Sequence, residues 1–148
     1  MHAHHPSSLE EIKQTIRDLE LRVTPARIAL VQHLQNTELP QSIDQMTIAL
    51  SHVGMDKATV YRNIVILQAK NLVRQVDLHR DHAYYEWNDK TDHHHLICTR
   101  CNYIEDFTGC DFKALEKAAL KQAPGFSHVV EHSFELFGVC RKCAEKGV

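Results

Sequence analysis

Five cysteines stand in the second half of this 148-residue chain. Four of them form two C-x-x-C pairs, Cys98/Cys101 and Cys140/Cys143, and Cys110 is left over. Two thiolates three residues apart can grip one ion from a tight turn, and two such turns complete the tetrahedral four-sulfur shell that zinc accepts. The 38 residues between the pairs suit a clamp that pins a last strand onto the start of a second domain. A shell closed by four thiolates leaves no open position, so its expected role is structural. The competing reading is a redox disulfide pair, in which Cys110 would serve as a resolving thiol.

A second cluster is Asp92-His93-His94-His95. On a strand, alternate residues face opposite sides. His93 and His95 would face one way, Asp92 and His94 the other, so one short strand could serve two metal sites. Glu86, Asp106 and His132 are the candidate completing ligands. Mixed nitrogen and oxygen donors suit iron(II), manganese, zinc or cobalt. The plainer alternative is a polar, solvated strand. The chain holds 12 histidines in all, and His2, His4 and His5 fall in a polar start that could be a tail.

A third is Ala58-Thr59-Val60-Tyr61-Arg62. A helix that offers Thr59, Tyr61 and Arg62 near its start, after a tight turn, suits a DNA major groove. Arg can fork onto guanine, and an aromatic can pack on a thymine methyl. The alternative is an amphipathic core helix whose Tyr and Arg sit on the surface.

These residues need elements to hold them. Ser8 with Glu11 and Ser42 with Gln45 are capping boxes. Thr24-Pro25 and Asp56 mark two further helix starts. Helices are expected from Leu9, from Pro25, from Ile43 to Gly54 and from Lys57 to Lys70, with a loop over 36–41. Strands are expected at Leu72–Val76 and Ala83–Trp87. Helices followed by a hairpin give the order of a winged helix-turn-helix. Beyond the polar link come strands at His94–Cys98 and Tyr103–Phe107, a helix from Asp111 to Ala123, and a long strand over 126–139. The fold class is α+β: a winged-helix domain over 1–85, a hinge over 86–91, and an α/β dimerisation and metal-binding domain over 92–148.

Composition narrows the function. Net charge is -2, and nine Lys/Arg balance nine Asp/Glu up to Ala83. A neutral first half argues against strong DNA binding by a lone subunit and fits a dimer or a switched binder. No apolar run approaches the roughly 18 residues that span a bilayer, and the start lacks a signal-peptide core, so a cytoplasmic protein without membrane contact is expected.

The three motifs together resemble the ferric uptake regulator (Fur) superfamily. The resemblance runs from about Leu19 to Cys143. It is carried by Leu21-x-Val23-Thr24-Pro25-x-Arg27, Ala58-Thr59-Val60-Tyr61-Arg62 and His93-His94-His95-Leu96-Ile97-Cys98-x-x-Cys101, then by His132-Ser133 and Phe137-Gly138-Val139-Cys140-x-x-Cys143. It implies a homodimeric repressor that binds double-stranded operator DNA when its regulatory metal is bound. It implies structural zinc on the four paired cysteines and a regulatory metal on Glu86, His93, His95 and Asp106. An additional metal would fall on His94 and His132, with Asp92 where the family often has His. Tyr61 and Arg62 match operator contacts, and Arg27 a backbone contact.

The chain departs from that pattern in places. The family usually has a His just before the helix that begins after Ser42; here Pro40 or Gln41 stands there, and His79 or His82 could replace it. The additional site normally gains a Glu near Lys113. No hinge cysteine is present, which tilts away from zinc sensing. Iron(II) is therefore the expected regulatory metal, with manganese(II) or zinc(II) as alternatives. The rivals are a peroxide or zinc sensor of the same superfamily, a metallohydrolase, and a zinc-stabilised interaction module without DNA binding. No general base stands beside an open metal position, so neither an enzyme nor a small organic substrate is expected.

Overall fold

Each capping residue named above opens a helix. In a computed structural model, which describes residues 7–88, 93–130 and 132–147, α1 spans Leu9–Asp18 behind the Ser8/Glu11 capping box. Helix α2 spans Pro25–Asn36, with Thr24 accepting from the Arg27 N–H and Pro25 in the first turn. Helix α3 spans Ile43–Ala49 behind the reciprocal Ser42/Gln45 pair. Helix α4 spans Lys57–Ala69, capped by Asp56, which accepts from Thr59 N at 2.7 Å. Each such cap satisfies a backbone donor that has no partner within the helix.

The chain divides into two compact units, Met1–Lys90 and Thr91–Val148. In the first, one apolar cluster collects Ile12 and Ile16 from α1, Leu30, Val31 and Leu34 from α2, Met46 from α3, and Val60, Ile64 and Leu67 from α4. Burying an aliphatic side chain contributes about 1.5–3 kcal/mol, so this cluster holds the unit together. Three strands complete it in the order β1-β3-β2: β1 at Gln41–Ser42, β2 at Val73–Val76 and β3 at Tyr84–Trp87. The result is a winged helix-turn-helix. Two expectations need correction here. Helix α3 stops at Ala49, and a single tighter turn over Ser51–Val53 follows, closed by Gly54 at φ 74. That reversal puts both Leu50 and Met55 in the core, and only a residue tolerant of positive φ closes it cheaply. Gln41 belongs to a strand, not to the loop, and pairs with Tyr85.

In the second unit, β4 (His94–Cys98) lies between β5 (Ile104–Phe107), antiparallel, and β6 (Leu136–Gly138), parallel. Helix α5 spans Phe112–Gln122 with Asp111 as its cap, and a short α6, unforeseen in the sequence, spans Arg141–Glu145. The long strand expected over 126–139 is reduced to Leu136–Gly138. Its ladder with β4 covers only Leu96–Cys98, and one residue earlier the Glu135 side chain, not its backbone, takes the His95 N–H. Phe126 is 73% and Val130 85% exposed. No helix among the described residues is long and apolar enough to cross a membrane.

Candidate metal centres and nucleic-acid interface

The ladder between β4 and β6 brings the two cysteine pairs together. Cys98 ends β4, Cys101 sits in the turn after it, Cys140 follows β6, and Cys143 lies in the first turn of α6. Their four sulfurs lie within 4.8 Å of one another, with Cys101 Sγ and Cys140 Sγ 3.5 Å apart. All are free thiols. Zinc–sulfur bonds of about 2.3 Å give tetrahedral edges of about 3.8 Å, so the cluster fits a zinc ion. The electrostatics agree. The Cys140 backbone N–H, 3.2 Å from Cys98 Sγ, and that of Cys101 push the Cys98 thiol down to about 6. Hydrogen bonding with the crowded sulfurs of Cys101 and Cys140 pushes Cys143 up to about 12. One thiolate forms readily and the last resists, the conflict that a bound dication resolves.

His93, just before β4, and His95 within it meet with their rings edge to face at 5.3 Å. The register sets His95 opposite Asp106. Asp106 Oδ1 is buried, accepts no hydrogen bond among the described residues, and faces His95 Nε2 at 3.6 Å. A buried carboxylate oxygen left this way fits a cation. Behind His95 stands Glu135, which the sequence reading missed. It accepts from the His95 backbone N–H at 2.8 Å and lies 3.2 Å from Nδ1. If Nδ1 carries the proton, Nε2 keeps its lone pair for a metal, the usual arrangement behind a ligating histidine. An acidic residue between Phe134 and Leu136 was the available signal, but only the tertiary neighbourhood gives it meaning.

Glu86 lies on β3 of the first unit and pairs with Arg74 on β2. Continuing the β1–β3 register by one residue brings Pro40 opposite Glu86, and cross-strand partners share a face. Pro40 thus stands across from Glu86, and its side chain offers no donor atom. His79 and His82 lie exposed in the turn between β2 and β3. Even His82 is four residues, or about 13 Å of strand, from Glu86, so neither is placed to substitute. Asp92 lies outside the described residues. His94 lies on the other face of β4, and His132 Nε2 is 3.2 Å from His94 Nε2.

Helix α4 buries Val60, Asn63, Ile64 and Leu67 and turns Tyr61, Arg62 and Val65 outward. Tyr61 is 55% exposed. Arg62 Nη2 reaches Thr59 Oγ1 at 3.3 Å, which holds its guanidinium toward the start of the helix.

A profile of the ferric uptake regulator family matches residues 18–137. The chain belongs to the ferric uptake regulator family. It is therefore a metal-responsive, DNA-binding transcriptional regulator. The peroxide operon regulator of Bacillus subtilis is 30% identical over 140 residues, covering 93% of this chain and 94% of that protein. Among solved structures, the Helicobacter pylori ferric uptake regulator, described as having three functional metal binding sites, matches with a TM-score of 0.74. It is 21% identical over 94% of this chain and 95% of its own. The Pseudomonas aeruginosa regulator with manganese gives a TM-score of 0.70 at 26% identity, over 88% and 98% of the two chains.

Against the family pattern, Arg27 is the expected DNA contact whose surroundings point elsewhere. It is 8% exposed. Its guanidinium donates to Asn63 Oδ1 at 3.2 Å and to the Arg22 carbonyl, while Asn63 Nδ2 donates to the Thr59 carbonyl at 2.9 Å. Arg27 is a strut between α2 and the inner face of α4 rather than a free cation on the surface.

Proposed function

We propose that the chain is a cytoplasmic homodimer that represses transcription by binding double-stranded operator DNA when a regulatory metal, iron(II) before manganese(II) or zinc(II), is bound. The observation that carries this reading is the pairing, in one Fur-family chain, of an outward-facing α4 with a His95–Asp106 pair whose facing atoms are buried and fit a cation. Thr59, Tyr61 and Arg62 contact the operator. Zinc on Cys98, Cys101, Cys140 and Cys143 is structural. Glu86, His93, His95 and Asp106 hold the regulatory metal, and Glu135 orients His95.

The dimer is supported by what a single chain leaves uncovered. Helix α5 has no buried residue, and Leu115, Phe126 and Val130 are exposed. A second copy supplies the missing cover. Ligands drawn from the wing strand and from β4 stand on both sides of the link, so occupancy biases the conformer that binds DNA. Moving that equilibrium from roughly 1:99 to 99:1 requires about 5.5 kcal/mol of differential binding. The test is operator binding by the full chain under anaerobic conditions, titrated separately with iron(II), manganese(II) and zinc(II). DNA affinity should rise with iron(II). DNA binding indifferent to all three metals would refute the reading.

The similarity to a peroxide operon regulator favours one second reading, a peroxide sensor whose iron directs oxidation of His93 or His95. Gain of an oxygen atom on either residue, detected by mass spectrometry after peroxide treatment of the iron-loaded protein, would select it.

A further inference from the structure

The leftover cysteine is not isolated. Cys110, in the loop between β5 and α5, places Sγ 3.7 Å from His132 Nε2. His132 Nε2 is in turn 3.2 Å from His94 Nε2 on β4. All three donor atoms lie within 4.8 Å of one another. Aromatic rings fix both imidazoles: His94 stacks on Phe134 at 4.0 Å, and His132 on Phe112 at 4.6 Å. Three separate segments thus aim one sulfur and two nitrogens at a common point inside an apolar wall.

We propose that His94, Cys110 and His132 form a metal site of their own, with a thiolate in its donor set, that takes zinc(II) in preference to iron(II) or manganese(II). The resemblance expected Asp92, His94 and His132 here, with a carboxylate usual where Lys113 stands. Cys110 supplies an anionic ligand that this pattern did not contain. The change of atom changes the metal. Thiolate with imidazole favours zinc or cobalt in tetrahedral geometry, whereas carboxylate-rich sets suit manganese. Binding releases the Cys110 thiol proton to solvent as the metal–sulfur bond forms. Cys110 is half-buried, leaving a route for the ion, and a tetrahedral ion would take its fourth ligand from water or another donor. The bound ion ties β4, the loop before α5 and the segment before β6 together.

Cobalt(II) is the probe. The full chain, carrying one zinc per subunit on the four paired cysteines and none elsewhere, is titrated with cobalt(II) without oxygen. A thiolate-to-cobalt charge-transfer band should appear in the near ultraviolet, with the strong visible bands of tetrahedral cobalt. Cys110→Ser should abolish it, and His132→Gln should weaken cobalt binding at least about tenfold. No thiolate band in the parent, or an undiminished band in Cys110→Ser, overturns the proposal. A second measurement needs no variant. Zinc(II) should protect Cys110 of the parent from iodoacetamide, mapped by mass spectrometry, and equal labelling with and without zinc overturns the site. Neither readout involves DNA, so failure here leaves the repressor reading standing.

Discussion

The two units bury different chemistry. In the first, the buried residues are chiefly Ile, Leu, Val and Met, and the side chains proposed to meet DNA point outward. In the second, the buried described residues are His93, His94, His95, Ile97 and Cys98, while α5 buries nothing. One unit is held by hydrophobic burial and reserves its surface for function. The other places its potential ligands where a core would be, so its metal sites must also hold it together. A unit of fewer than 60 residues needs such a staple, because its surface is large for its volume.

The sharpest way to break that contrast is to remove the zinc. Structural zinc contributes an apparent binding free energy of about 10–16 kcal/mol near neutral pH. Chelation, or Cys98→Ser, should therefore melt the second unit while the helices of the first persist, as read by amide protection resolved along the chain. Simultaneous loss of both would show that the first unit has no independent core. Acid should act the same way. Because the Cys98 thiol is depressed from 9.0 to about 6, its contribution is full above 9.0 and is lost as the pH falls through about 6. Zinc retention against a chelator should likewise weaken as the pH falls, because protons compete with the ion for the thiolates.

The reciprocal experiment strikes the first unit. Leu30→Ala removes a fully buried side chain from the apolar cluster, and such deletions cost about 2–5 kcal/mol. The midpoint of denaturant unfolding should fall for the first unit, with zinc content unchanged. Zinc loss in this variant would blur the division.

Legibility in the sequence followed the same division. The caps at Ser8, Thr24, Ser42, Asp56 and Asp111 are local signals, and all five open helices. The cysteine clamp was legible because each pair is a local turn. Glu135 and Cys110 were not, because they meet His95 and His132 only when segments 40 and 22 residues apart converge. The strand expected over 126–135 failed for a related reason. Alternation marks a segment able to pair, but pairing needs a neighbour: β4 begins at His94, whose partner in the continued register is Phe134, so β4 offers nothing opposite the residues before it.

Two smaller effects test the outward face and the frame behind it. Arg62→Ala should weaken operator binding by about 1–3 kcal/mol and relax sequence discrimination, with metal content and dimerisation intact; footprinting indistinguishable from the parent would take Arg62 off the DNA face. Ser42→Ala, which deletes the α3 cap, should cost about 1 kcal/mol of first-unit stability and leave both cysteine pairs holding zinc.

The central claim is that metal in the second unit governs DNA binding by the first. The variant carrying His93→Ala and His95→Ala together tests it most directly, by operator affinity with and without iron(II) under anaerobic conditions. The account predicts a dimer that keeps its four-cysteine zinc and whose affinity for the operator no longer responds to iron. A double variant that still tightens on DNA like the parent when iron is added would contradict it.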